Sequence, residues 1–238
     1  MKLDILAFGA HPDDLELSCS GTLLNQIAKG NTVGLIDLTR GEMGSRGTAE
    51  IRDKEGQDAA AIIGANIREN LNLADAFFEN NQASQLKVIS ALRKYRPDYV
   101  FCNAEEDRHP DHGRSAQLIE DAAFLSGLVK IQTFDDGKLQ EPWRPKIVLH
   151  YIQDRELIPD IVMDISEVWD KKMECILAHR SQFYDPKSSE PDTYIASKGF
   201  MEMIETRARE TGRSNGFKYA EGFTCRRVIG IINITNIV

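Results

Sequence analysis

What most constrains the fold is the way the apolar period changes along the chain. The short runs "LDILAFG" (3–9), "TVGLIDLT" (32–39) and "PDYVFCN" (97–103) read as buried strands, and each is followed by a longer segment with apolar residues at helical spacing. "DLELSCSGTLLNQIAKG" (14–30) is predicted as one helix closed by Gly30, and "TAEIRDKEGQDAAAIIG" (48–64) starts at Thr48 and ends at Gly64. "QASQLKVISALRKY" (82–95) and "HGRSAQLIEDAAFLSGL" (112–128) continue the pattern, with "ENLNLA" (69–74) as a short strand between helices. Parallel strands need a crossover, and helices supply it. The alternation therefore predicts an α/β fold: a Rossmann-like, mainly parallel sheet with helices on both faces and a strand order of roughly 3-2-1-4-5.

After residue 130 the pattern blurs into a C-terminal α/β extension. "KIVLHYI" (146–152) and "PDIVMDIS" (159–166) read as strands, "EVWDKKMECILAHRSQF" (167–183) and "FMEMIETRARETG" (200–212) as helices, and "YDPKSSEPDTYIASKG" (184–199) as a loop or lid. No linker or repeat divides the chain. The expectation is one domain over 1–238, with a core of about 1–130 and an extension and lid of about 131–238.

Composition narrows the function. The balance of 29 basic and 37 acidic side chains gives a net charge of −8 with no basic block, which argues against a nucleic-acid partner. No apolar run approaches membrane-spanning length, and "MKLDILAFGAHPDD" lacks the shape of a secretory signal, so a cytoplasmic setting is expected. Cys19, Cys102, Cys175 and Cys225 lie far apart without a C-x-x-C pair, which suits packed free thiols. His150 and His179 are read as structural.

Two motifs carry chemistry. "AHPDD" (10–14) ends the first strand and "EEDRHPDH" (105–112) ends the fourth. In the expected order these strands are neighbours at the point where the sheet reverses its direction of growth, where ligands bind in such folds. Either motif alone is an ordinary helix start, with Pro at the first helical position and Asp in the first turn. Their convergence suggests more. His11, Asp14 and His112 can supply two imidazoles and a carboxylate to zinc and leave a position open for water. Asp13, beside the metal but not on it, can then take the proton of that water, and the cation relieves the repulsion between adjacent aspartates.

Other readings use the same residues. Two histidines and a carboxylate also hold non-haem iron, and a metal-storing or sugar-binding protein could carry the cluster without catalysis. A nucleotide-binding reading is weak because "GAHPDD" lacks G-x-G-x-x-G. Arg40, Arg46, Arg52 and Arg108 fall in or just after loops at the same sheet edge and predict a cationic rim. Arg52 and Arg108 are the preferred substrate contacts, and Tyr194 in the lid is a further candidate.

With "AHPDD" and "HPDH" in these places, the chain resembles the LmbE-like (PIG-L) N-acetylglucosamine deacetylases. "LTRGEMGSRGT", "IRDKE" and "GFKYAEGF" look most like the bacillithiol-pathway members. The resemblance implies one Zn2+ per chain on His11, Asp14 and His112, with Asp13 as general base. It also implies that His109, oriented by Asp111, stabilises an oxyanion. The implied substrate is a small amino-sugar conjugate such as N-acetylglucosaminyl-malate, and the implied assembly is a homo-oligomer.

Overall fold

The structure is a computed structural model that describes residues 1–233, 235 and 237. In chain order the elements are β1 (Ile5–Gly9), α1 (Asp14–Ser18), α2 (Ser20–Ala28), β2 (Val33–Asp37), α3 (Ala49–Ile63), β3 (Ile67–Asn70), α4 (Gln82–Tyr95) and β4 (Tyr99–Asn103). They continue with α5 (Pro110–Leu125), β5 (Phe134–Asp135), β6 (Lys138–Leu139), β7 (Ile147–Tyr151), β8 (Ile161–Asp164), a 3-10 turn at Ser166–Val168, α6 (Trp169–Leu177), α7 (Lys198–Arg213) and β9 (Ala220–Thr224).

Seven strands form one sheet in the order β3-β2-β1-β4-β7-β9-β8. β1 pairs in parallel with β2 and β4, placing Ile5 beside Val33 and Tyr99. β7 extends the parallel set beside β4, and β9 alone runs against its neighbours. The expected α/β architecture is present, and the extension completes the same sheet.

Successive strand residues point to opposite faces, so each parallel strand feeds two cores. Leu6 and Phe8 of β1 join Ile36, Val100 and Cys102 against α4 and α5. Ile5 and Ala7 join Val33, Leu35 and Phe101 against the other helices, with Leu15, Leu23 and Ala60. A third cluster, around Trp169, Phe183, Phe200 and Ile204, packs α6 and α7 together. Among the described residues no helix is long and apolar enough to cross a membrane.

Three local expectations shift. The third strand is Ile67–Asn70, two residues upstream of "ENLNLA". The 167–183 helix is confined to α6 because a 3-10 turn precedes it and the chain leaves the helix at Ala178. The helix expected over 14–30 is broken at Cys19 (φ −139°). The break opens backbone groups that the buried Lys172–Glu221 pair then satisfies. Lys172 Nζ donates to the carbonyls of Glu16 and Leu17, and the Glu221 carboxylate accepts from the N–H groups of Gly21 and Thr22.

Candidate active site

Both motifs occupy strand-to-helix turns at one edge of the sheet. Gly9 ends β1 where a Cβ would lie 2.9 Å from the His11 carbonyl, so the turn can tighten immediately. Asp13 precedes α1 as its cap residue and Asp14 is its first residue. On the second turn His109 caps α5, Pro110 is the first helical residue, and Asp111 and His112 complete the first turn.

The turns meet around Asp14. Its Oδ2 lies 3.6 Å from His11 Nδ1, and its Oδ1 lies 3.2 Å from His112 Nε2. The carboxylate cannot rotate freely, because Oδ2 also accepts from the His11 backbone N–H and Asn103 Nδ2 while Oδ1 accepts from Gln153 Nε2. Burial opposes its charge, but the His112 and His11 imidazoles hold its carboxyl well below the usual carboxylate range.

Each imidazole has a carboxylate at its other nitrogen. Asp107 Oδ2 is 2.5 Å from His112 Nδ1, and Asp75 Oδ1 is 3.1 Å from His11 Nε2. Burial lowers the proton affinity of His112, but Asp14 and Asp107 outweigh it and raise the pKa to about 9. The His109 ring stands edge-on to His11, with centroids 4.6 Å apart. Its Nδ1 accepts from the Asp111 backbone N–H, which leaves the proton on Nε2. Burial and the neighbouring His11 and His112 charges push its pKa below the ordinary histidine value.

Asp111 therefore reaches His109 through its backbone. Its carboxylate lies 3.4 Å from His11 Nε2, 2.7 Å from Arg114 Nη1, and accepts from the Ala76 N–H. Ala76 adopts a left-handed φ of 64°, which turns this N–H inward. Asp13 is buried, with Arg52 Nη2 3.3 Å from its Oδ1.

Two donor groups here fit a divalent cation, and Asp14 of the ligand set expected from sequence belongs to neither. Ligand atoms of His11, His109 and His112 lie within 4.8 Å of one another, and so do those of His11, Asp75 and Asp111. His11 Nε2 is buried without an aligned hydrogen-bond partner among the described residues, although two carboxylates flank it. Imidazole and carboxylate ligands suit zinc, and the carboxylates gathered here repel one another unless positive charge lies between them.

The expected arginines separate. Arg52 is buried beside Asp13, its Nη1 donating to the Gly41 carbonyl and its Nε unpartnered among the described residues. Arg108 stacks 4.6 Å from the Tyr194 ring, and both side chains meet Asp154. Arg40 instead pairs with Asp53 and Glu50, and Arg46 is buried, donating to the Ser181 and Pro191 carbonyls and to Ser188 Oγ. These two arginines form no rim because acidic and backbone acceptors nearby already engage them.

Asp75, Asp107, Asn103 and Gln153 escaped the sequence reading. Asn103 ends β4 and Gln153 follows β7, so polar residues closing apolar strands at the ligand-binding edge were the available signal. Asp107 stood inside the quoted second motif, five residues before His112.

The first 123 residues carry a further sign of kinship: residues 6–123 match the PIG-L model, described as GlcNAc-PI de-N-acetylase. The conserved protein TT1542 from Thermus thermophilus is 37% identical in its crystal structure, with a TM-score of 0.84 over 97% of this chain and 98% of that one. This chain belongs to the PIG-L family. Another relative is the diacetylchitobiose deacetylase of Thermococcus kodakarensis, 25% identical over 92% of this chain and 81% of its own length. A probable N-acetyl-alpha-D-glucosaminyl L-malate deacetylase 2 of Bacillus cereus is 28% identical over 76% of this chain and 84% of its own length. The family match spans both motifs, from β1 into α5.

Proposed function

We propose that this chain is a zinc-dependent hydrolase that removes the acetyl group from an N-acetylglucosaminide. His11, Asp14 and His112 would hold one Zn2+ per chain. When bound, the metal acidifies water and polarises a carbonyl. Asp13 takes the proton of the attacking water, and Arg52 pairs with its carboxylate. The Nε2–H of His109 donates to the oxyanion as the acetamide carbon becomes tetrahedral. Asp13 then returns its proton to the departing amine, and acetate and a free amino sugar leave.

The observation that carries this reading is the Asp14 carboxylate set between His11 Nδ1 and His112 Nε2, with the Asp107 carboxylate hydrogen-bonded behind the His112 ring. Such backing fixes the tautomer and orientation of a metal-binding histidine. Asp13 next to the cluster favours catalysis over metal storage, which needs no base.

Arg108 and Tyr194 offer the contact surface for the substrate, and Arg52, buried behind Asp13, acts on it through that carboxylate. N-acetylglucosaminyl-malate, the bacillithiol-pathway conjugate, is the first substrate to test, because of the named activity of the Bacillus cereus relative. A homo-oligomer acting on a small molecule is the setting the resemblance implies, in the cytoplasm expected from the sequence. The test is primary-amine release from N-acetylglucosaminides, with and without a malyl group, before chelation, after it, and after zinc is restored. Loss and recovery of the signal is expected. Amine release indifferent to chelation would overturn the metal assignment.

A further inference from the structure

A cavity of about 670 Å3 adjoins the candidate site and shares Asp107, His112 and Gln153 with it. Residues of α7, of β9 and of the segment after β7 form most of its remaining wall. That wall is largely apolar, with Leu17, Ile152, Val162, Ile195, Met203 and Ile204 contributing. The chemistry proposed above engages an acetamido group and one sugar ring, and gives no reason for so large a chamber beside them. A concave, mostly apolar space of several hundred Å3 with a few orienting polar groups is the usual form of a small-molecule site.

We propose that this chamber receives the substrate's aglycone, and that the aglycone is an alkyl or aryl group rather than a small dicarboxylate. The inference rests on the deacetylase reading and narrows it at the aglycone alone. Charge supports it. Asp154, Glu156 and Glu210 line the space, and two of its three cations, Arg108 and Lys172, already face carboxylates. Lys172 lies 2.7 Å from Glu221, Arg108 lies 3.3 Å from Asp154, and Arg207 donates to the Asp154 carbonyl. A dicarboxylate would have to displace Asp154 from Arg108 or Glu221 from Lys172, or rely on Arg207, whereas an alkyl or aryl group needs no cation.

The test is a KM series on methyl, butyl and octyl N-acetylglucosaminides and the malyl conjugate, followed by amine release from the zinc-loaded chain. KM is expected to fall at least tenfold from methyl to octyl, with the malyl conjugate no better than the methyl glycoside. Met203→Trp and Thr211→Trp, which fill the chamber from α7, should each reduce the octyl-to-methyl ratio of kcat/KM. Calorimetry with octyl glucosaminide, which lacks the acetyl group, separates the two readings. Binding without turnover of any glycoside would sustain the chamber and defeat the deacetylase. A KM independent of alkyl length, or a malyl conjugate that outperforms the octyl glycoside, would overturn the inference whether or not the variants fold.

Discussion

Asp107 Oδ2 sits 2.5 Å from His112 Nδ1, while Asp14 Oδ1 sits 3.2 Å from the opposite nitrogen of the same ring. Asp107 is itself fixed, because its Oδ1 accepts from the backbone N–H groups of Asp154 and Arg155. Nδ1 of His112 thus faces Asp107 as its hydrogen-bond partner, and Nε2 is directed toward Asp14.

Asp107→Asn replaces an ionised acceptor by an amide that can present its NH2 to the ring. Zinc affinity should fall by about 10–100-fold, the usual effect of losing a carboxylate behind a metal-binding histidine. Competition with a chromophoric chelator measures this without reference to turnover. Unchanged affinity would show that His112 does not need Asp107 to hold the ion.

Asp13 lies in the same turn as two proposed ligands, but its recorded carboxylate contact is with Arg52. Asp13→Asn keeps the shape and removes the base. Turnover should drop by about 100- to 10,000-fold, the range assigned to a positioned general base. Zinc stoichiometry, measured by atomic emission on the dialysed protein, should stay at one per chain.

Behind the first motif, Arg68 donates to Glu16, to both oxygens of Asp37, and to the carbonyls of Pro12 and Gly56. All of its N–H groups are engaged, and its side chain is almost wholly buried beside two buried acids. Arg68→Met leaves Glu16 and Asp37 without their cation and frees the Pro12 carbonyl. Breaking a buried pair by removing one partner costs about 3–5 kcal/mol, so the urea midpoint should fall accordingly. A midpoint within error of the parent would mean that His179, 3.2 Å from Glu16, carries the compensation alone.

The central order of the sheet was legible because it depends on local period: each apolar run is short, each helical segment is long, and the crossovers leave little choice of neighbour. The position of β9 was not. It enters between β7 and β8 although it follows both in sequence, and that placement depends on long-range pairing. The break at Cys19 was equally hidden, since Lys172 and Glu221, which satisfy the opened backbone, lie far along the chain. At the candidate site, the two H-P-D motifs announced His11, Asp13, Asp14, His109, Asp111 and His112. Asp75 had no motif around it; only the fold brings the segment after β3 to His11.

Arg46 makes a prediction about the 184–199 segment, which the sequence suggested as a lid. Its guanidinium reaches the Ser181 carbonyl, Ser188 Oγ and the Pro191 carbonyl, pinning the start and the middle of a stretch that has no regular secondary structure until α7 begins at Lys198. Tyr194 follows directly and lies under Arg108. Arg46→Ala removes these hydrogen bonds while leaving the chain length unchanged, and local opening should cost less free energy. Backbone amides over 184–193 should then exchange with deuterium faster, while those of β1 and β4 keep the parent rates. If the loop instead kept its protection, the anchor would have to lie elsewhere, with Tyr194 and its bond to Asp154 as the remaining tether.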